Sequence, residues 1–561
     1  MEIYEYKRRE THPVHIGSIT VGGESPVVVQ SMANVSTNDI EGGVAQAVRI
    51  IEAGGQMVRF TTQGKKEALS LGEIRRKLRA EGYDAPLVAD VHFRKEVAFV
   101  AAENADKVRI NPGNFYDTVK KRGQSFTEEE FEADSEGLRK EFGRFVDVCR
   151  AKGVAIRIGV NHGSLSGRIM DRYGDTPEGM VASCMEYLEV CEAKGFRDVV
   201  ISIKSSNTKV MTETVRLLVE TMDEKGMKYP LHLGVTEAGD GEDGRLKSAV
   251  GIGALLSTGL GDTIRVSLTE APEAEIPVAG LLVRMTEELE KHGRIEVDQD
   301  ERINDNRLML WDFAPYTTEV IADYYETSSL EPQKPDRLFG AKGNLQEEEI
   351  EVLKDVDIVA GADFSGDKTR VVELTHPNVP LMLQALDDLL VPAYYIRICL
   401  DCPAEELPTR LGFLLGAKLL RGYPLGGLWL RSHSVAPEEL TRIAFGLLQA
   451  SRVRFTKTEF IACPSCGRTL FDLPTTLQCV REATRHLKGL KIGVMGCVVN
   501  GPGEMADADY GYVGSGIGLV DLYKGKEKVA RAIPASDAVG RLIELIKEYG
   551  DWVDPGQSLS E

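Results

Sequence analysis

The chain has no long apolar run. Its longest apolar stretches, such as those at 254–256 and 391–395, fall far short of the roughly 20 residues that a helix needs to span a bilayer. The N-terminal segment MEIYEYKRRETH is charged from its second residue, and it has neither the apolar segment of a signal peptide nor the acid-poor composition of a transit peptide. We therefore expect a cytoplasmic protein that does not associate with a membrane.

An excess of positive charge is also missing. The formal net charge of −20 argues against nonspecific nucleic-acid binding over the whole surface, although it leaves room for a basic pocket. The nine cysteines are an odd number in a long chain without secretory features, which favours metal or redox use over a disulfide framework. With 561 residues, 42% of them apolar, the chain is long enough for several domains.

Short β-branched, apolar runs recur eight times between residues 27 and 268, and helix-length amphipathic segments separate most of them. This alternation predicts a parallel sheet with covering helices, an α/β fold. Eight such units favour a TIM (β/α)8 barrel over an open doubly wound sheet, which would not need eight evenly used units. The runs are VVVQSM (27–32), MVRFTT (57–62), PLVADVHF (86–93), KVRINPG (107–113), AIRIGV (155–160), VVISIK (199–204), LHLGVT (231–236) and TIRVSL (263–268).

The pattern changes after Glu288. Residues 296–307 are polar and acidic, as in a linker, and strand-like runs return at 355–364, 393–402 and 426–433. A third unit of mixed α and β character follows from Thr456. We predict a TIM barrel at 1–290, an inserted β/α, barrel-like domain at 291–450 and a C-terminal α+β domain at 451–561.

Five of the predicted barrel strands carry a cation within or at the end of the apolar run. A charge inside a closed barrel must be paired or functional. One such cation is more often a structural ion pair, but five on corresponding strands favour a site, because barrels build active sites at the C-terminal ends of their strands. The pattern predicts a small polyanionic ligand, and the glycine-rich segment 234–261 is typical of a phosphate site. The cations are Arg59, Arg109, Arg157, Lys204 and Arg265.

Other polar residues lie at or near the same strand ends. Asparagines there can donate to phosphate or hydroxyl oxygens, and carboxylates can act as acid, base or hydroxyl ligand. Pairing with the neighbouring arginines is an equally good interpretation of the carboxylates. The residues are Asn111, Asn114, Asn161, Asp90, Glu237, His92, His162 and His232.

Three cysteines of the C-terminal unit have metal-ligand spacing: Cys463 and Cys466 form C-x-x-C, and Cys497 opens CVVNGPGE. Thiolates suit zinc or an iron–sulfur cluster, and the candidates for a fourth ligand are Cys479, His486 and Glu504.

Cys479 lies in a predicted helix, where we expect a buried small apolar residue. Glu504 ends the tight turn NGPGE, and a Cys₃Glu site would hold a [4Fe–4S] cluster with one exchangeable iron ligand. Cys399 and Cys402 have no third ligand at a useful spacing, so we interpret that pair as structural.

Taken together, the motifs resemble the large, three-domain form of the 4-hydroxy-3-methylbut-2-enyl diphosphate synthase family. The resemblance implies an iron–sulfur reductase of the methylerythritol phosphate route to isoprenoids, which opens 2-C-methyl-D-erythritol 2,4-cyclodiphosphate with two electrons. Segments that carry it are VVVQSM (27–32), PLVADVHF (86–93), VRINPGN (108–114), IRIGVNHGSL (156–165), PLHLGVTEAG (230–239), KSAVGIGALL (247–256), GDTIRVSL (261–268), ACPSCGR (462–468) and GCVVNGPGE (496–504).

By this resemblance, Cys463, Cys466, Cys497 and Glu504 bind a [4Fe–4S] cluster. The diphosphate would be bound by Arg59, Arg109, Asn111, Arg157, Asn161, Lys204, Arg265 and Ser267. His92, His232, Glu237, Glu504 and Asn500 would lie near the reacting atoms. The resemblance also implies ferredoxin or flavodoxin as electron donor, no nucleic-acid partner, and either a homodimer or closure of barrel and cluster domain within one chain. The rival hypotheses are a zinc-bearing barrel transferase and a non-enzymatic iron–sulfur electron carrier.

Overall fold

The structure is a computed structural model that describes residues 2–92, 94–116, 125–297, 318–325, 333–340, 342–354, 369–374, 378–388, 394–422, 425–498 and 501–554. The chain clusters into two compact units. The first, here called the insert unit, comprises Met1–Arg8, Arg245–Leu260 and Leu281–Lys457, and the second, the barrel unit, comprises Arg9–Gly244, Gly261–Gly280 and Thr458–Glu561. The predicted division at 1–290, 291–450 and 451–561 stays a prediction.

The barrel unit contains a ring of eight parallel strands. Consecutive strands pair along the chain, a single bridge between Ile201 and Leu231 joins the sixth to the seventh, and the eighth pairs with the first. The predicted TIM barrel is thus confirmed. We number the barrel strands 1 to 8: Val28–Met32, Met57–Thr62, Leu87–Val91, Lys107–Ile110, Ala155–Asn161, Val199–Lys204, His232–Leu233 and Thr263–Ile264.

The barrel strands are buried along their whole length, which explains why β-branched residues fill them. Several helix starts are fixed by side-chain caps; Thr127 and Glu130, for example, form a reciprocal capping box. The helices after strands 7 and 8 run on into the insert unit. The helices are Ile40–Glu52, Lys65–Ala80, Lys95–Asn104, Pro112–Phe115, Glu128–Lys152, Gly167–Tyr173, Pro177–Ala193, Thr208–Glu224, Gly241–Leu256 and Glu275–His292, with a 3₁₀ turn at Pro272–Ala274.

A small hairpin, Val14–Ile16 and Ile19–Val21, closes the N-terminal end of the barrel. Its apolar side chains pack against residues at the starts of the barrel strands, among them Val28, Met57 and Val200. A ligand site in the barrel therefore has to open at the C-terminal ends of the strands.

The C-terminal part of the barrel unit is a five-stranded sheet with its own apolar core, the predicted α+β arrangement. The first three strands are parallel and the last three form antiparallel pairs. We call this part the C-terminal domain. Its strands are Glu459–Ala462, Lys491–Met495, Tyr510–Gly516, Leu519–Lys524 and Glu527–Pro534, and its helices are Leu473–Thr484, Gly501–Glu504 and Ala535–Glu548.

The expectation that Cys479 is a buried apolar residue is wrong. The helix Leu473–Thr484 buries Leu473, Leu477, Val480 and Thr484, which follow one another at helical spacing on one face. Cys479 lies off that stripe and is exposed.

The insert unit contains six parallel strands, in the order second, first, sixth, fifth, fourth, third. This is the order of a closed ring in which, among the described residues, pairing is missing only between the second and third strands. The barrel-like character agrees with the prediction. The strands are Glu319–Asp323, Arg337–Phe339, Ile350–Lys354, Thr369–Leu374, Tyr395–Cys399 and Gly427–Arg431, with a 3₁₀ turn at Glu347–Glu349 and helices Val379–Asp388, Leu407–Arg421 and Pro437–Ala450.

In the same unit, Glu2–Glu5 pairs antiparallel with Arg294–Val297. The strand expected at 355–364 lies outside the described residues, as does most of the polar segment 296–307. Across the described part of the chain, no helix combines the length and the apolar character required for a membrane span.

Candidate active site

A cavity with about 610 Å³ of atom-free space lies at the C-terminal ends of the barrel strands, and the C-terminal domain supplies its other wall. The two walls belong to the same compact unit and to one chain. The barrel contributes Met32, Arg59, Asp90, Arg109, Asn161, Lys204, Thr236, Glu237 and Arg265, and the C-terminal domain contributes Cys463, Pro464, Ser465, Cys466, Arg468, Met495, Cys497, Gly501 and Glu504.

Asp90, on barrel strand 3, is the anionic centre of the barrel wall. Its Oδ2 lies 2.7 Å from Arg59 Nη2 and 3.1 Å from Arg468 Nη2, and its Oδ1 lies 3.3 Å from Arg109 Nη1. Burial alone would raise the pKa of Asp90, but the neighbouring cationic groups, Arg59 above all, outweigh burial and hold this pKa well below its usual range. One carboxylate therefore pairs with three guanidinium groups. Because it can neutralise only one of them, the cavity wall keeps an excess of positive charge.

Arg109 links barrel strands 4 and 5. Its Nη2 donates to Gly159 O at 2.8 Å and to Asn161 Oδ1 at 2.9 Å, and its Nη1 donates to the ring of His92. Burial, followed by the charge of Arg109, lowers the pKa of His92 to about 3, so its imidazole is neutral at pH 7. His92 orients the arginine from behind the cavity wall.

Beneath the cavity, the barrel interior holds basic side chains whose nitrogen atoms lack hydrogen-bond partners. Within the described residues, no acceptor meets Nε, Nη1 or Nη2 of Arg157 or Nζ of Lys107, and His232 Nδ1 is equally unpaired. Burial, the largest cause, lowers the pKa of all three groups. A guanidinium stays protonated in proteins, and because an unpaired buried charge is costly, Arg157 favours an anion above it.

The other two predicted cations differ in how they are paired. Arg265 makes a two-pronged ion pair with Glu275, Nε to Oε2 at 3.2 Å and Nη2 to Oε1 at 3.0 Å. Lys204 lines the cavity, and burial followed by the charge of Arg59 lowers its pKa. Within the described residues Lys204 has no ion-pair partner, whereas Glu275 neutralises Arg265, so Lys204 is the more available of the two for an anion.

The predicted site residues fall into two groups. The cavity brings together Arg59, Arg109, Asn161, Lys204, Arg265, Glu237, Cys463, Cys466, Cys497 and Glu504. Buried elsewhere in the barrel, and not in the cavity wall, are Arg157, Asn111, Ser267, His92 and His232. Asn500 lies outside the described residues.

Asn111 uses both polar ends of its side chain within the barrel. Its Oδ1 accepts from Gly113 N at 3.0 Å and caps the short helix Pro112–Phe115, while Nδ2 donates to Ser164 Oγ at 3.1 Å. Binding a phosphate would cost one of these contacts.

The cysteine loops are held by backbone and hydroxyl contacts. Gly496 N donates to Cys463 Sγ at 3.2 Å, Cys466 N donates to Thr469 Oγ1 at 3.0 Å, and Thr269 of the barrel donates to Cys463 O at 2.9 Å. Between the two cysteines, Ser465 takes a positive φ of 53°, which turns the C-x-x-C loop tightly. The loop is thus fastened both to its own domain and to the barrel.

Glu504 is the one fourth-ligand candidate that the structure places in the cavity. Asn161 Nδ2 donates to Glu504 Oε1 at 2.7 Å, and Ser206 Oγ donates to Glu504 O at 3.2 Å. His486 is bonded instead to Val553 O at 2.9 Å, and Cys479 is exposed. The carboxylate of Glu504 therefore faces the same space as the three thiols.

Glu237 follows barrel strand 7 with a positive φ of 50°, an uncommon conformation for a residue with a side chain. Its side chain is buried beside Glu504, and burial followed by the charge of Glu504 raises the pKa of Glu237 well above its usual range. Its Oε2 has no hydrogen-bond partner within the described residues. Glu237 therefore adds a second carboxyl group to the cavity wall, beside that of Glu504.

The donor set fits a polynuclear cluster better than a single ion. In the described part of the chain, no three of Cys463, Cys466, Cys497 and Glu504 have donor atoms all within 4.8 Å of one another. Around one tetrahedral zinc with bonds of about 2.3 Å, sulfur atoms would lie only about 3.8 Å apart. Ligands of an iron–sulfur cluster sit on different irons and are more widely spaced.

Sequence reasoning missed Arg468 and Thr236 in the cavity wall and left Asp90 as one candidate among several. Arg468 follows the C-x-x-C motif by two residues, and its proximity to Cys466 is the signal that the sequence offers. Its pairing with Asp90, 378 residues away, arises only in the folded chain.

The pair Cys399 and Cys402 lies in the insert unit, and the structure adds two neighbours. Cys399, Asp401 and His433 have potential ligand atoms within 4.8 Å of one another, all exposed. His433 Nδ1 and Asp401 Oδ2 lie 2.7 Å apart, and His433 N donates to Asp401 Oδ1 at 2.6 Å. These hydrogen bonds account for the arrangement without an ion, so the interpretation as structural stays a prediction.

The sequence matches two parts of one protein family: the GcpE TIM-barrel domain over residues 11–280 and the GcpE protein C-terminal domain over residues 459–548. Three relatives bear the name 4-hydroxy-3-methylbut-2-en-1-yl diphosphate synthase (flavodoxin). The protein of Parabacteroides distasonis is 49% identical over 99% of this chain and 100% of its own.

The protein of Porphyromonas gingivalis is 47% identical over 98% of this chain and 99% of its own. The protein of Chlorobaculum tepidum is 38% identical over 99% of this chain and 91% of its own. Among solved structures, N-acetylneuraminic acid synthetase of Leptospira borgpetersenii has a TM-score of 0.33 at 10% identity, covering 53% of this chain and 95% of its own, which is too weak a likeness to bear on function.

Proposed function

The chain belongs to the GcpE family of 4-hydroxy-3-methylbut-2-en-1-yl diphosphate synthases, and from this premise we propose that it reduces 2-C-methyl-D-erythritol 2,4-cyclodiphosphate to (E)-4-hydroxy-3-methylbut-2-enyl diphosphate. Two electrons enter, the C2–O bond to phosphate breaks, and the C3 hydroxyl leaves as water. The observation that carries the proposal is one cavity in which cationic barrel side chains face three thiols and Glu504.

We assign binding of the diphosphate to the cationic wall. Arg59, Arg109 and Lys204 line the cavity, and the basic side chains of Arg157 and Lys107, without hydrogen-bond partners, lie beneath it. Arginine offers forked donors that match phosphate oxygens, and a low-dielectric interior strengthens the attraction. Of the remaining residues that the resemblance gives to the substrate, Asn161 and Arg265 lie in the wall, and Asn111 and Ser267 lie outside it.

We assign the cluster to Cys463, Cys466, Cys497 and Glu504. A [4Fe–4S] cluster held there would supply electrons one at a time, with the carboxylate as its replaceable ligand. Asn161 holds Glu504 in place, and we assign Glu237, the second carboxyl group of the cavity wall, to the reacting hydroxyl.

We propose that catalysis takes place within one chain. The C-terminal domain meets its own barrel through Asn161 and Glu504, through Asn207 Nδ2 and Asp507 Oδ2 at 3.0 Å, and through a bridge between Ala238 and Ala462. A mixture of a barrel-dead variant, Lys204→Ala, and a cluster-dead variant, Cys466→Ser, would then stay inactive. Restored turnover in the mixture would show a site shared between two copies.

The remaining roles are part of the same proposal. The inserted domain is structural, flavodoxin is the electron donor as in the names of the relatives, and ferredoxin is the alternative. A cytoplasmic location follows from the need to keep thiolate ligands reduced. We propose no role for nucleic acid.

Anaerobic purification tests the function. We expect a brown protein with the spectrum of a [4Fe–4S] cluster that turns over the cyclic diphosphate with reduced flavodoxin or dithionite. The Cys466→Ser variant should lose both the cluster spectrum and turnover. Cys479 is an exposed thiol on a neighbouring helix, so Cys479→Ser should keep both. A colourless zinc protein, or a brown protein without turnover, would overturn the proposal.

A further inference from the structure

Arg468 lies between the C-x-x-C loop of Cys463 and Cys466 and the barrel. It follows Cys466 by two residues, and its side chain is only 5% exposed. Nη2 donates to Asp90 Oδ2 at 3.1 Å and to Asp90 O at 3.4 Å. The guanidinium is therefore anchored to barrel strand 3, although the residue belongs to the C-terminal domain.

The charges around Arg468 do not cancel. Asp90 is shared by Arg468, Arg59 and Arg109, and His92 beside them is neutral at pH 7. Nε of Arg468 has no partner within the described residues.

The same guanidinium lines the cavity together with Cys466 and Cys497. A positive charge that Asp90 neutralises only in part thus lies close to two of the proposed cluster ligands.

We propose that Arg468 is a positioning residue: its guanidinium, which Asp90 anchors beside the cysteine loops, raises the reduction potential of the cluster. The inference rests on the proposed function, because it requires the cluster. Each reduction transfers one electron from the donor to the cluster and adds one negative charge there. A nearby fixed positive charge stabilises that product and raises the potential.

Burial decides how strongly the charge acts. Arg468 is anchored to Asp90 and its side chain is only 5% exposed, so little water screens its charge from the neighbouring thiols. Loss of this charge would therefore make a cluster held by these thiols harder to reduce.

The test compares reduction potentials of the cluster-loaded proteins by titration followed with electron paramagnetic resonance. Arg468→Gln should shift the potential to a more negative value, and Arg468→Lys, which keeps the charge, should lie closer to wild type. Arg481→Gln is the matched control, since Arg481 pairs with Asp240 across the same two domains and does not line the cavity. It should leave the potential unchanged.

Two results would overturn the inference: a wild-type potential in loaded Arg468→Gln, or an equal shift in Arg481→Gln. If Arg468→Gln does not load its cluster, Arg468→Met reconstituted with iron and sulfide takes its place, with the same two outcomes. A wild-type protein without a cluster or without turnover would defeat the proposed function itself. A wild-type protein with both, and an unmoved potential in the neutral variants, would defeat only the role of Arg468.

Discussion

Asn161, the last residue of barrel strand 5, donates from Nδ2 to Oε1 of Glu504 at 2.7 Å, across 343 residues of sequence. The Oδ1 of the same side chain accepts from Arg109 Nη2 at 2.9 Å. A single amide thus ties the cationic wall of the cavity to the carboxylate that we assign to the cluster. One residue therefore positions both an arginine of the proposed diphosphate site and the proposed carboxylate ligand of the cluster.

Asn161→Ala should impair catalysis without preventing cluster assembly. The substitution removes the donor to Glu504 Oε1 and leaves Arg109 Nη2 with Gly159 O as its remaining acceptor, and an unsatisfied buried group costs about 1–3 kcal/mol. We expect kcat to fall by about 10- to 100-fold at unchanged iron content. Turnover and iron per chain measure this. Asn207→Ala, which removes a contact between the same two domains away from the cavity, should retain turnover, and equal losses in both variants would contradict the role of Asn161.

Gly163→Ala should prevent the C-terminal domain from seating. Gly163 has a φ of +76°, and a Cβ there would lie 2.1 Å from Gly503 O. Because backbone atoms of both domains meet at this point, the clash has to be relieved by moving the domains apart. A displacement of about 1 Å can cost about 100-fold in rate, and we expect a loss of at least this size with a loaded cluster.

Gly153→Ala is the matched control for that change. Its φ is +65°, and a Cβ there would meet nothing within 4 Å. The substitution carries the same backbone strain, about 1–2 kcal/mol, without the clash. It should lower the unfolding temperature and leave turnover intact. If both alanine variants lose activity equally, strain rather than close approach explains Gly163.

The barrel could be predicted because each strand is buried on both faces and therefore reads as a β-branched run of its own. The cations within those runs were visible for the same reason, since a charge there stands out against apolar neighbours. The layering of the barrel interior was not visible: Arg157 and His232 lie below the cavity, whereas Lys204 and Glu237 reach its wall. How deep a residue lies in the barrel depends on the stagger between neighbouring strands, and the sequence of one strand does not reveal that stagger.

Pairings between distant elements were equally hidden. Arg265 reads as a ligand-binding cation from its strand, but Glu275 neutralises it from the next helix. Cys479 is a different case, because helical spacing alone separates it from the buried stripe Leu473, Leu477, Val480 and Thr484. Its exposed position could therefore be predicted from the sequence.

Glu504→Ala should weaken catalysis more than folding. The backbone contact from Ser206 to Glu504 O survives the substitution, so the turn that carries residue 504 keeps its place. The exchangeable ligand is lost, and we expect turnover to fall by more than about 100-fold, the upper range for loss of an outer partner of a metal ligand. Turnover, iron content and unfolding temperature are the measurements. Wild-type turnover with a loaded cluster would show that Glu504 is not the working ligand.

His92 should make the protein sensitive to mild acid. Its pKa is about 3 in the fold and near 6.5 in an unfolded chain, so the neutral form stabilises the fold fully above pH 6.5. This contribution is lost as pH falls from 6.5 towards 3, by up to about 1.4 kcal/mol per pH unit. The His92→Gln variant has no imidazole to protonate, so it does not lose this stability as the pH falls. Its unfolding temperature should fall less than that of wild type between pH 6.5 and 5, and parallel curves would contradict the burial of a neutral imidazole.

Thiol labelling should divide the cysteines by environment and by cluster. Cys149, Cys184 and Cys191 are buried, and burial raises the pKa of each thiol, so alkylation should require unfolding. Cys399 and Cys479 are exposed and should be labelled at once.

The three proposed ligands should be protected in the anaerobic protein and become reactive after a chelator removes the iron: Cys463, Cys466 and Cys497. Mass spectrometry of the labelled peptides reads out all groups together. Protection of Cys479 instead of Cys497 before iron removal would mean that the ligand set is a different one, and labelling of all three before removal would mean that they hold no cluster.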